Sequence, residues 1–201
     1  MRLDDLTNKL KSALMDSAEL ISRDEEQIIS MALADLSRYK PQKRVATFKL
    51  VSGQLVYPAP NGLMHISNVM YGQSQRSQLK PWQEGYPKKL PTFYAIEGDE
   101  GMFIQLSHFP AEGTLLSCGR EVTYTYWASR AIKDGDIHLP VELEPLLLLR
   151  CVAEAVKHIM VHQLNKTVSV RNSIGGEAKN GTPAAVHEQL MRQFERQIAD
   201  A

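Results

Sequence analysis

With 201 residues, 43% of them hydrophobic, the chain is long enough to bury a proper core, which excludes general disorder. Charge is balanced, 23 basic residues against 23 acidic, and no apolar run reaches membrane-spanning length. Met1-Arg2-Leu3-Asp4-Asp5 lacks the basic head and apolar stretch of a secretory signal, so the chain reads as soluble and not exported by that route.

Leu3, Leu6, Leu10, Ala13, Leu14, Ser17 and Ile21 recur at helical spacing and predict a first helix with one apolar stripe. Ser22 with Glu25 three residues on has the form of a capping box, which predicts a second helix from Arg23. Its inner face is Ile28, Ile29, Ala32, Leu33 and Leu36, and it must end before Pro41. From Arg44 the period changes to two. Ala46, Phe48 and Leu50 alternate with Val45, Thr47 and Lys49, and Ser52-Gly53 predicts a tight turn and hairpin into Leu55 to Tyr57. Met64 to Tyr71 reads as another strand, and Gly72 to Leu90 as a long polar loop. Phe93 to Glu97 and Met102 to Ser107 flank a second hairpin signal, Gly98-Asp99-Glu100-Gly101, and Glu121 to Trp127 alternates again.

Helical period returns after Pro140. The apolar set from Leu143 through Leu146 to Leu149, then Cys151, Val152, Ala155, Val156, Ile159 and Met160, is too broad for a surface helix and predicts a central one. Arg171 to Gly181 reads as a polar loop. Thr182-Pro183 then offers a cap and a first-turn proline for a last helix lined by Val186, Leu190, Phe194 and Ile198. The resulting fold class is α+β: a bundle of about four helices, residues 1–42 and 138–201, with a small antiparallel β-sandwich or barrel inserted at 43–137.

No catalytic constellation stands out, and no enzyme activity or cofactor is expected. Cys118, placed in a β loop, and Cys151, within an apolar helix, lack CxxC spacing, so reduced thiols are the simpler reading. His158 and His162 stand four apart, a spacing that can share a metal, which leaves a metal-dependent hydrolase as an alternative. The zinc-protease pattern needs glutamate directly after the first histidine, where Ile159 stands, so two structural histidines and no metal are the expectation. Gly176 to Thr182 lacks the lysine and the preceding strand of a phosphate loop. Charge is segregated. Residues 1–35 carry eight acids against four bases, whereas residues 36–90 carry nine bases and only Glu84 on the other side. That basic segment, residues 38–89, leaves a nucleic-acid binding module as a second alternative, although the mildly acidic helical ends argue against a chain that coats DNA. Trp82 and Tyr86 among Lys80, Lys88 and Lys89 make docking anchors as readily as base-stacking platforms.

The order of elements carries a resemblance. It runs from Ala32-Leu33-Ala34-Asp35-Leu36-Ser37-Arg38-Tyr39-Lys40-Pro41 through Tyr57-Pro58-Ala59-Pro60 and Ile66-Ser67-Asn68-Val69-Met70-Tyr71. It continues in Glu121-Val122-Thr123-Tyr124-Thr125-Tyr126-Trp127, Ile137-His138-Leu139-Pro140 and the apolar helix through Leu146 to Ala155. Over about residues 20 to 200 this resembles the head-to-tail adaptor, or neck connector, proteins of tailed bacteriophages. The chain departs from them in having leucines for an alanine-rich run in the central helix, and in a longer basic loop at Gly72 to Leu90. The resemblance implies a structural virion protein in the neck, passing through the host cytoplasm during assembly. It implies a homo-oligomeric ring, commonly dodecameric, between the portal protein and the tail or a second neck protein, near DNA and away from membranes. Within that frame the expected contacts are Arg171, Asn172, Ile174, Leu190 and Phe194 toward a portal, and Lys80, Trp82, Tyr86 and Lys88 toward another neck or tail protein.

Overall fold

The computed structural model describes residues 1–162, 168–171 and 178–200, with backbone alone at 162, 168–171 and 178–181. Two compact units divide the chain: Met1–Lys40 with Arg130–Ala201, and Pro41–Ser129.

Helix α1 spans Leu3–Leu14 and buries Leu6, Leu10 and Leu14, while Asp4 and Asp5 in its first turn and Lys11 in its last suit the helix dipole. Its stripe does not continue as α-helix to Ile21. Met15 takes a positive φ of 51°, which interrupts the ladder, and Met15–Ile21 follows as a 3-10 helix that still buries Ser17 and Ile21. The expected capping box is not formed. Ser22 is itself helical, its N–H donating to Glu19 O at 3.4 Å, and α2 runs Glu25–Tyr39. The acidic groups at this start are engaged elsewhere: Glu25 pairs with Lys11 of α1 at 2.8 Å, and Asp24 lies 3.1 Å from His158 Nε2.

In the second unit β1 is Gln42–Lys49, β2 Val56–Pro58 and β3 Leu63–Val69. A short helix, α3 at Gln73–Gln78, occupies the start of the expected long loop. β4 (Phe93–Gly98) and β5 (Gly101–Leu106) pair as the hairpin that Gly98 to Gly101 predicts. α4 at Glu112–Cys118 places Cys118 at a helix end, and β6 is Glu121–Ala128. Two antiparallel three-stranded sheets result, ordered β1-β6-β3 and β2-β5-β4. The turn after β1 exists, with Gln54 N–H on Val51 O at 3.2 Å and Gly53 at φ 78°, but no β1–β2 hairpin does. β1 pairs with β6 and β2 with β5, so this turn moves the chain from one sheet to the other. Phe48 accounts for the change. Its ring meets Tyr57 of β2, Phe93 of β4 and Tyr124 of β6 at centroid separations of 4.7, 6.1 and 5.8 Å, so both sheets share one apolar core.

Returning to the helical unit, β7 (Ile132–Lys133) and β8 (Asp136–Ile137) form a two-stranded hairpin. It holds the first residues of the chain: Leu3 N–H donates to Gly135 O and Ile137 N–H to Met1 O, each at 2.9 Å. After a 3-10 turn at Val141–Leu143, α5 spans Glu144–His162. Leu146, Leu147 and every residue from Arg150 to Val156 are buried, as a helix surrounded on its sides requires. β9 (Val168–Arg171) and β10 (Ala178–Gly181) pair antiparallel where a loop was expected. α6 runs Pro183–Asp200, and Thr182 Oγ1 accepts the Ala185 N–H at 3.4 Å, the expected cap. Leucines and isoleucines of α1, α2, α5 and α6, with Ile137 from β8, make the core of this unit.

The chain leaves the helical unit after Lys40 and re-enters at Arg130. Within that unit the two points adjoin, since Arg130 Nε donates to Lys40 O at 3.0 Å and Arg130 N–H to Ser37 Oγ at 2.8 Å.

Candidate functional site

The segment from Gly72 to Thr92 is braced from within. Gly72 holds a φ of 67°, and a Cβ there would stand 2.7 Å from Leu90 Cδ2, so the segment's two ends close on each other because this residue has no side chain. Arg76 donates from Nε to Pro87 O at 3.2 Å and from Nη2 to Lys88 O at 3.4 Å. Gln83 Oε1 accepts the Lys80 N–H at 2.6 Å while Gln83 N–H donates to Lys80 O at 2.9 Å. Pro87 and Pro91 are buried. What this scaffold presents is Trp82, 78% exposed, with Lys80 Nζ 5.4 Å from its ring centroid. Lys88 and Lys89 are exposed beside Pro87, and Tyr86 is half-buried. Of the four residues singled out in this segment, the structure stacks Lys80 on Trp82. Lys88 is exposed, and Tyr86 is partly spent on packing. Glu84 is the one acid in the segment, also exposed.

The C-terminal candidates divide. Arg171 ends β9, its backbone opposite Ala178 and its side chain outside the described residues, where Asn172 and Ile174 also lie. Leu190 and Phe194 are core residues, 2% and 1% exposed, and Phe194 meets Tyr39 edge-on at 6.0 Å. They hold α6 to the core of the helical unit and leave no surface of their own. The exposed face of α6 is polar, with Glu188 and Arg192 paired one turn apart and Glu195 and Arg196 beyond them.

A buried polar cluster joins α2 to α5, and the periodicity of the sequence does not mark it. Arg150 on α5, nearly sealed from solvent, donates through Nε and Nη2 to Asp35 of α2 and through Nη2 to Glu154 at 2.7 Å; Lys157 completes the set at 3.0 Å from Glu154. Burial opposes the Arg150 charge, but the bonds to Asp35 and Glu154 outweigh it and raise its pKa. Burial likewise pushes Glu154 up, and the hydrogen bonds from Lys157 and Arg150 reverse this and hold it below the usual carboxylate range. His187 on α6 is depressed, first by burial and then by the positive Arg150. The legible signal was Arg150 and Glu154 at i, i+4 inside an otherwise apolar run. Such a cluster orients the helices that carry it.

His158 is engaged by Asp24, and the His162 side chain is outside the described residues. Among the described residues no three histidine, cysteine or acidic side chains gather as a metal would need. Cys151 is buried, which pushes its thiol up to about 12.

Among the described residues no helix is long and apolar enough to cross a membrane. No curated protein matches the chain in sequence. The model of the SU10 adaptor protein does, over residues 1–201, and with that match spanning every element described above the chain belongs to the SU10 adaptor family, structural adaptors of phage virions.

Proposed function

We propose that this adaptor assembles as a ring, commonly dodecameric in such proteins, between the portal protein and the tail or a second neck protein. The observation that carries the reading is the family match over the whole chain. In this reading the four long helices form the ring body. The second unit presents the braced Lys80–Trp82 loop as a docking surface of that ring. Arg171, Asn172 and Ile174, in the segment that precedes α6, face the portal, with Leu190 and Phe194 fixing the helix behind them. The role is structural, and the braced loop suits it, because a contact that is ordered beforehand loses little entropy on docking. Mixing the purified protein with capsids that lack tails tests the reading. Added density at the portal vertex in electron micrographs is the expected result, and bare vertices at saturating protein would reject it.

The stacked Lys80 and Trp82 also suit a single nucleic-acid strand. That reading requires binding that falls steeply with salt and weakens when Lys80, Lys88 and Lys89 are reversed in charge.

A further inference from the structure

The second unit carries opposite charges at the two ends of one strand. At the start of β4 stands the braced segment with Lys80, Lys88 and Lys89, and at its end the hairpin tip with Glu97, Asp99 and Glu100. All six side chains are exposed, and none forms an ion pair among the described residues. Six residues of strand separate the segment's end from the tip by roughly 17 Å, which is well beyond hydrogen-bonding reach. Beside the lysines Trp82 stands 78% exposed, the kind of large rigid side chain that anchors a protein contact.

We infer that the Lys80–Trp82 segment of one copy docks on the Glu97–Glu100 hairpin tip of the next copy. Three cations meet three carboxylates, and Trp82 is covered at the contact. The commitment to a second copy rests on complementary sign: even with Glu84 the segment is net basic, and its acidic complement stands on the same chain at the far end of β4. A contact between two different patches is head-to-tail, which repeats around an axis and closes a ring when the rotation allows. The inference rests on the ring reading and assigns its subunit contact.

Two triple variants of the full chain test it. One carries Glu97→Lys, Asp99→Lys and Glu100→Lys, so both patches are basic; the other carries Lys80→Glu, Lys88→Glu and Lys89→Glu, so both are acidic. The wild-type protein should self-associate in sedimentation velocity at low salt and do so less as salt rises. Each variant alone should associate about 100-fold more weakly, since like charges then face each other. An equimolar mixture should recover assembly, because each variant's patch matches the other's. Trp82→Ala should weaken association without altering its salt dependence. Wild-type protein that stays monomeric overturns the inference. So do folded variants that assemble as well as the wild type, or a mixture that does not recover. Variants that assemble normally and still decorate portal vertices would sink this contact and leave the ring standing.

Discussion

Ser37 Oγ donates to Leu33 O at 2.7 Å and accepts the Arg130 backbone N–H at 2.8 Å, so one hydroxyl ties the last turns of α2 to the point where the chain returns to the helical unit. Ser37 is 1% exposed. Ser37→Ala would leave the Arg130 amide without this acceptor, at a cost of about 1–3 kcal/mol. Urea unfolding followed by circular dichroism should show a lower midpoint with an unchanged slope.

Arg150 sits between two carboxylates, Asp35 and Glu154, in the helical interior. Arg150→Met takes the guanidinium from both, leaving Asp35 with Arg38 and Glu154 with Lys157, and should destabilise by about 3–5 kcal/mol. Pairing it with Glu154→Leu removes the more deeply buried carboxylate and should recover most of that loss. Arg150→Lys should recover little, because a point charge cannot span both acceptors as the planar guanidinium does. A double-mutant cycle on unfolding free energies measures all three outcomes.

Both depressed groups have the same sign with pH. His187 has a folded pKa below its ordinary 6.5, so the unfolded chain binds the proton first, and stability falls as pH drops through 6.5 toward the folded value. Glu154 is depressed below its ordinary 4.5, so its contribution is complete above that pH and fades below it. Denaturation midpoints against pH should therefore decline in two steps on acidification. His187→Gln should remove the upper step and leave the lower.

Cys151 is fully buried, with a thiol raised to about 12, whereas Cys118 is half-buried at the end of α4. The thiolate is the reactive form. A disulfide reagent should therefore modify Cys118 in the native protein and reach Cys151 only after denaturation, as peptide mapping of the two sites would show. Rapid native modification of Cys151 would mean that the α5 core opens far more readily than its packing implies.

The helices were legible because each buries a stripe whose period is fixed by its own backbone: Leu6, Leu10 and Leu14 needed no knowledge of what covers them. The β4–β5 hairpin was legible for the same local reason, through Gly98 to Gly101. What escaped was set by contacts between residues far apart in sequence. Ser22 and Glu25 have capping-box spacing, yet Lys11 takes the Glu25 carboxylate, and the helix starts later. β1 alternates perfectly, but alternation does not name a partner, and the partner is β6. In the candidate site, the composition marked Lys80 and Trp82, while the Arg76 bonds that fix their frame depend on Pro87 and Lys88 carbonyls. Leu190 and Phe194 show the converse limit: periodicity marked an apolar face without saying that the unit's own core would consume it.

The Arg130 side chain on the Lys40 carbonyl means that the helical unit closes on itself where residues 41–129 leave it and return. Along the chain, that whole segment occupies the place of a turn between α2 and β7. Its length and surface can change without re-threading any core helix, so a short linker joining Lys40 to Arg130 should leave a bundle that still folds. The adaptor can thus vary what it presents while keeping what holds it up.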